Sequence, residues 1–294
     1  MQFGITFPQN EIGSDPIAIR DFAQAVEGAG FDYLATYEHI AGAHPDRFEG
    51  VDTGFPAPPY LHEHEFHEPF SLFSYLAALT TKLTFATSIL VLPQRQTVLV
   101  AKQAAQLDML SGGRFRLGVG VGWNHAEYES LGADFGTRGA RQEEQIEVLR
   151  RLWTQPLVTF KGRWHTLDRV AIAPRPSRPI PIWLGTGATD RLMRRVARLA
   201  DGWMPLLPVS RAPEVISRLH ALLAAEGRDP ATFGLQVNIE IERGEPADWL
   251  SAAKTWQSLG ATHLGVRSRY RDITPTAALE NAIETKRRLE AELG

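Results

Sequence analysis

The chain contains no cysteine. Disulfides, thiolate metal sites and a cysteine nucleophile are therefore excluded. Neither sign of charge is in surplus: 31 Lys and Arg stand against 34 Asp and Glu, a net charge of −3. That balance gives no general attraction to nucleic acid or to an anionic membrane. No apolar run approaches the roughly 20 residues needed to span a bilayer. Neither a Gly-x-Ser-x-Gly elbow nor a Gly-Lys-Ser/Thr phosphate loop occurs, so neither motif supplies the chemistry. The N-terminus, Met1-Gln2-Phe3-Gly4-Ile5, enters a strand pattern without a basic leader. The expected compartment is the cytoplasm.

What is present is an ordinary globular balance, with 44% apolar and 22% charged residues over 294 positions. That length suits one α/β barrel, and no repeat or low-complexity linker divides it, so residues 1–294 are expected to form a single domain. Short β-rich runs alternate with longer helical runs throughout. Strands are predicted at 3–8, 31–37, 83–92, 115–121, 181–184, 202–204, 233–239 and 262–266. Helices are predicted from Asp15-Pro16 to Gly28, then at 69–80, 97–110, 138–153, 189–200, 213–226, 247–259 and 275–293. Asp is a good N-cap and Pro is tolerated in a first helical turn, which sets the start of the first helix.

Eight β-then-α units argue for a parallel sheet with helices outside, closed into a (β/α)8 TIM barrel. An open doubly wound sheet is the rival and more often has fewer units. Two insertions break the rhythm. Residues 40–68, after strand two, are rich in Pro, Gly and His and are too long for a plain connection, which suggests a lid or binding loop. Residues 156–179, before strand five, contain a small hairpin turning at Lys161-Gly162.

Barrels of this type place their chemistry just after each strand. Strand two ends in Glu38-His39, and an imidazole there can donate to a ring or move a proton. Strand four ends in Gly118-Val119-Gly120-Val121-Gly122-Trp123. This lacks the spacing of a dinucleotide fingerprint. Its glycines either let a flat ring approach the backbone or relieve a crowded barrel position. Strand five ends in Gly185-Thr186-Gly187-Ala188-Thr189, which reads either as an anion site at a helix start or as a tight turn with an N-cap. His62, His64 and His67 alternate in a loop without a rigid element to hold a metal, so no metal site is expected. Arg138, Arg141, Glu143, Glu144 and Glu147 read as ion pairs on or between helices.

The block Leu83-Thr84-Phe85-Ala86-Thr87-Ser88-Ile89-Leu90-Val91-Leu92-Pro93, the run from Ala101 through Ser111-Gly112-Gly113 to Trp123, and Arg138-Gly139-x-Arg141 carry a resemblance. With Trp183-Leu184-Gly185 and Asp201-Gly202-Trp203, they make the chain similar to the luciferase-like monooxygenase superfamily over nearly its whole length. It most resembles the branch that uses the deazaflavin coenzyme F420. The resemblance implies a cofactor ring resting on a non-prolyl cis peptide at Ser88-Ile89, with Gly120, Gly122 and Trp123 beside it. It implies phosphate at Gly185, Thr186, Gly187 and Thr189, and chemistry at His39 with Glu38. Some relatives carry a catalytic glutamate where this chain has Trp123. Arg95-Gln96-Thr97 also departs from the His/Asn-Pro common in close relatives. The implied activity is F420-dependent hydride transfer with a small organic substrate. The alternative is an FMN-dependent monooxygenase fed by a partner reductase. Relatives are commonly dimers, so a homodimer is expected.

Overall fold

The computed structural model describes residues 1–241, 245–267 and 274–294. Its strands are β1 Gln2–Thr6, β2 Tyr33–Thr36, β3 Thr84–Thr87, β4 Leu90–Val91, β5 Phe115–Gly120, β6 Val158–Lys161, β7 Thr166–Val170, β8 Ile182–Thr186, β9 Gly202–Pro205, β10 Gly234–Glu240 and β11 His263–Arg267. Its helices are α1 Pro16–Gly28, α2 Pro69–Ala77, α3 Thr97–Leu110, α4 His125–Ser130, α5 Arg138–Thr154, α6 Asp190–Leu199, α7 Ala212–Ala225, α8 Pro246–Ser258 and α9 Pro275–Leu293. The large sheet runs β3-β2-β1-β11-β10-β9-β8-β5-β4, and β3 also pairs with β5. That last pairing closes the sheet. Because β4 continues β3, the closed sheet is an eight-stranded parallel barrel, as the alternation predicts. The two insertions lie where expected, after β2 and, as the antiparallel β6–β7 hairpin, before β8.

Local sequence explains the boundaries. Asp15 caps α1 by accepting from Ile17 N at 2.9 Å, and Pro16 fills the first turn. Gly30 takes φ 73° just after the helix, a conformation that costs other residues more. The single strand predicted at 83–92 is instead two pieces. Ala86 pairs with Arg116, while Leu90 pairs with Val119, so four steps along one strand oppose three on the other. The extra residue is a bulge, and it breaks the ladder at Ser88-Ile89. The peptide bond between those residues is cis.

Side chains alternate between two cores. Phe3, Ile5, Leu34, Phe85, Leu117, Leu184 and Val237 point outward into the layer beneath the helices. Burying each such side chain contributes about 1.5–3 kcal/mol. The inward set differs. At the lower end, the Arg116 guanidinium lies 4.0 Å from the Trp183 ring centre and 5.1 Å from that of Tyr33. His263 packs 4.8 Å from Trp183, and Arg116 donates to Gln236. These large groups leave no room for side chains opposite: a Cβ on Gly4 would lie 2.2 Å from the Tyr33 ring, and one on Gly234 would lie 2.0 Å from Trp183. One level higher the inward residues are small, with Ala35, Ala86, Gly118 and Gly265. Asn238 is exposed in the middle of a buried strand. The barrel is thus plugged below and open above.

Candidate active site at the barrel mouth

His39 lies three residues beyond the end of β2, and its side chain is 13% exposed. Its ring stacks on Tyr60 from the long insertion, with centroids 3.7 Å apart and planes 28° apart. Phe66 meets it edge-on at 5.1 Å. The ring's Nδ1 lies 3.1 Å from Glu127 Oε2. Glu127 is buried, and its other oxygen accepts from Ile40 N and, at 3.3 Å, from Ala41 N. Tyr60 donates its hydroxyl to Glu127 Oε2 at 3.3 Å and accepts from Asn124 Nδ2 at 2.6 Å. Burial raises the Glu127 carboxyl, but the His39 contact and the two backbone N–H groups outweigh it and hold the acid below its ordinary value. An ionised Glu127 can only accept, so Nδ1 carries the hydrogen. Among the described residues no group bonds His39 Nε2, which is the nitrogen left to meet a ligand.

Glu127, Tyr60 and Asn124 complete the cluster around His39, and the sequence reading did not single them out. The signal was available for the first. Asn124 followed three residues later by Glu127 is an N-terminal cap pattern, and Asn124 does cap α4, accepting from Ala126 N and Glu127 N at 3.0 and 3.3 Å. The short helix was passed over as loop. Tyr60 gives no such signal, because nothing in sequence ties it to His39.

Glu38 has a different environment from the one expected for a catalytic acid. Its side chain is 1% exposed. Oε1 accepts from Val91 N at 2.6 Å and from Arg95 Nε at 3.2 Å, while Oε2 pairs with Arg95 Nη2. Burial pushes the carboxyl up, and Arg95 offsets only part of that. Both oxygens are engaged in holding β4 and the following turn, so neither faces the mouth. Arg95, noted as a departure in sequence, is the group that makes this buried acid tolerable; it also bonds Glu68 at 3.1 Å, at the end of the insertion.

The glycines of β5 and β8 serve packing. A Cβ on Gly120 would lie 2.7 Å from Ile89 Cδ1, and one on Gly185 would lie 2.4 Å from Ile89 Cγ2. Gly122, at φ 64°, gives the same relief to Val91 at 2.7 Å. Of the two sequence readings, relief of a crowded position describes Gly120 and Gly122. The contacts also join the site: Ser88-Ile89 and the Gly185 turn meet on one rim. Trp123 sits among the insertion's aromatics, 5.5 Å from Phe48, 5.6 Å from Phe55 and 5.3 Å from Tyr60. It roofs the His39 side of the mouth.

The turn after β8 has the character of an anion cradle. A Cβ on Gly187 would meet nothing within 4 Å. Thr189 stands at the N-cap of α6 without making a side-chain cap bond. Among the described residues, nothing accepts from the backbone N–H groups of Gly187, Ala188 and Thr189. Free N–H groups at a helix start with an unused hydroxyl fit a phosphate. The three loop histidines do not converge: His64 Nδ1 accepts from Leu61 N, His67 Nε2 lies 3.0 Å from Gly13 O, and His62 packs near His44. No group of metal-ligating side chains occurs among the described residues, and no described helix is long and apolar enough to cross a membrane.

A closed parallel barrel with a histidine–carboxylate pair and an anion cradle on its C-terminal rim defines a barrel whose candidate ligand site lies at its mouth. Residues 1–292 match the luciferase-like monooxygenase family, and the chain belongs to it. An uncharacterized protein of Mycobacterium tuberculosis is 40% identical over 187 residues, which is 62% of this chain and 62% of that one. The chain thus spans less than two thirds of that relative's length. A pyrimidine monooxygenase of Allorhizobium ampelinum is 32% identical over 190 residues, 61% of this chain and 51% of that protein. Among solved structures, an F420-dependent secondary alcohol dehydrogenase superposes with TM-score 0.77 at 16% identity, covering 97% of each chain. At that identity the likeness shows the fold alone.

Proposed function

We propose that this protein is an oxidoreductase that uses coenzyme F420 to exchange hydride with a small organic substrate at the barrel mouth. The observation that carries the reading is the convergence of His39, the Ser88-Ile89 bulge and the Gly187–Thr189 cradle on one rim. The F420-dependent alcohol dehydrogenase that shares the fold supports the choice of cofactor. When bound, that cofactor supplies or accepts the hydride. Ser88 and Ile89 would support the ring, and the N–H groups of Gly187 to Thr189 would hold the phosphate.

The chain's own residues handle position, protons and water. Glu127 fixes the tautomer and tilt of His39, leaving Nε2 to hydrogen-bond the reacting region or carry a proton. Tyr60 holds the ring from its face. Glu38 acts as a positioning group that ties β2 to the bulge through Val91 N and Arg95. Trp123, Phe48, Phe55 and Phe66 close an apolar wall that keeps water from the reacting atoms. The insertion is pinned to the barrel by Gln9, which donates to Tyr37 O at 2.6 Å and His67 O at 3.1 Å and accepts from His67 N at 2.8 Å. Side-by-side titration of the purified protein with F420 and FMN tests the reading. Tighter binding of F420 supports it; equal or tighter binding of FMN overturns the cofactor and favours a flavin-dependent monooxygenase.

A further inference from the structure

Beside the phosphate cradle lies a cavity of about 470 Å³ between the N-terminal ends of α5 and α6. Its walls carry Arg138, Arg163, Arg191 and Arg195 and no carboxylate. Arg195 is 6% exposed and bonds Glu143 through Nε at 2.8 Å. Arg138, Arg163 and Arg191 form no ion pair with any described residue. Arg138 and Arg163 lie instead against Phe135 and Trp164, 3.7 and 4.7 Å from the ring centres. Thr137 and Thr189, the N-caps of both helices, line the same space, and neither side chain caps its helix. Two positive helix ends and three uncompensated guanidiniums therefore face one cavity.

The hairpin before β8 carries one of those cations, Arg163. Glu144 of α5 accepts from the backbone N–H groups of Arg163, Trp164 and His165 at 2.7, 2.8 and 2.8 Å. A Cβ on Gly162 would lie 2.4 Å from the Glu144 carboxylate, so glycine lets the turn seat there. His165 Nδ1 joins the same carboxylate at 2.7 Å, and its Nε2 lies 2.6 Å from Thr97 Oγ1. One carboxylate thus fixes the turn that holds Arg163 over the cavity.

A phosphate is small and carries at most two charges, or one where a tail continues from it as a diester, and the cradle after β8 already offers it N–H groups. The cavity provides more positive charge and more space than that group uses. We infer that the arginine cavity binds a second, distal set of anions: the carboxylates of a γ-linked oligoglutamate tail that follows the cofactor phosphate. This rests on the reading of the site as an F420 site and extends it to how the protein would distinguish that cofactor from FMN, whose chain ends at phosphate.

Fluorescence titration with four probes tests it: the deazaflavin chromophore without phosphate or tail, F420 with one glutamate, F420 with several glutamates, and FMN. The intact protein is compared with Arg163→Glu, Arg191→Glu and the milder Arg163→Ala, each checked for an unchanged thermal melt. The long-tailed form is expected to bind about tenfold more tightly than the one-glutamate form at low salt, and either charge reversal is expected to erase that difference. Glu144→Gln, which frees the hairpin tip without removing a cation, is expected to reduce it. Equal affinity for one and several glutamates, unaltered in the variants, would overturn the tail site and leave the cofactor reading standing. Tighter binding of FMN than of every deazaflavin form would overturn both.

Discussion

His263 offers the sharpest test of how the lower barrel is built. Its ring sits half-buried between Trp183 and Tyr33, with Nδ1 2.8 Å from Thr262 Oγ1. Burial disfavours its charged form, and the Arg116 cation and the N-terminal amine add to the effect. The pKa is lowered to about 3 from an ordinary 6.5. The native state therefore excludes a proton that the unfolded chain takes up below the ordinary value. Stability is fully present above that value and falls as the pH drops toward the native pKa. At about pH 5 the unfolded state is mostly protonated at this site and the native state is not, which costs about 2 kcal/mol. Urea unfolding at about pH 8 and about pH 5 measures the loss, and H263Q removes the titration while keeping a polar partner for Thr262. Other carboxylates titrate alike in both proteins. The wild type is therefore expected to lose about 2 kcal/mol more than H263Q between the two conditions. Equal losses would show that the plug does not exclude the proton, and the account of the barrel floor would fail.

Two further outcomes concern the rim. Gly185→Ala places a methyl 2.4 Å from Ile89 Cγ2 and is expected to cost about 1–3 kcal/mol of stability. The cost should shrink when Ile89→Ala makes room, as measured by a double-mutant cycle in urea; an undiminished cost would sever the proposed contact from the effect. His39→Ala is expected to retain cofactor binding but slow turnover by about a hundredfold or more, and unchanged rates would remove His39 from the mechanism. Glu127→Gln keeps the shape but loses the charge, so its expected signature is a slower turnover with an altered pH profile, whereas an unaltered profile would reduce Glu127 to packing.

Much of the barrel could be read from sequence because its strands and helices differ in periodicity. The bounds of α3 and α9 coincide with the reading at Thr97–Leu110 and Pro275–Leu293, since Ser111-Gly112-Gly113 stops the first and Pro275 starts the second. The rim position of Ser88-Ile89 and Gly185 to Thr189 was legible from motif resemblance. Periodicity did not show the bulge, because residues 83–92 have no strict alternation for a register slip to interrupt; the resemblance alone pointed to Ser88-Ile89, where the peptide bond is cis. Sequence did not show which carboxylate meets His39. Adjacency to His39 in sequence pointed to Glu38, whereas folding turns that carboxylate toward Arg95 and brings another from α4, 88 residues away, onto the imidazole. The hairpin was recognised as a hairpin, but its use depends on Glu144 reaching three amides across space.

The corked lower end of the barrel has a kinetic meaning. Trp183, Tyr33 and Arg116 pack against one another between the strands' N-terminal ends and the exposed Asn238 above them. With that end filled by side chains, ligands and the solvent they displace reach the inward face from the C-terminal rim, where Trp123 stands. If a planar cofactor rests on Ile89 as proposed, a second ligand would have to enter over it, and binding would be ordered.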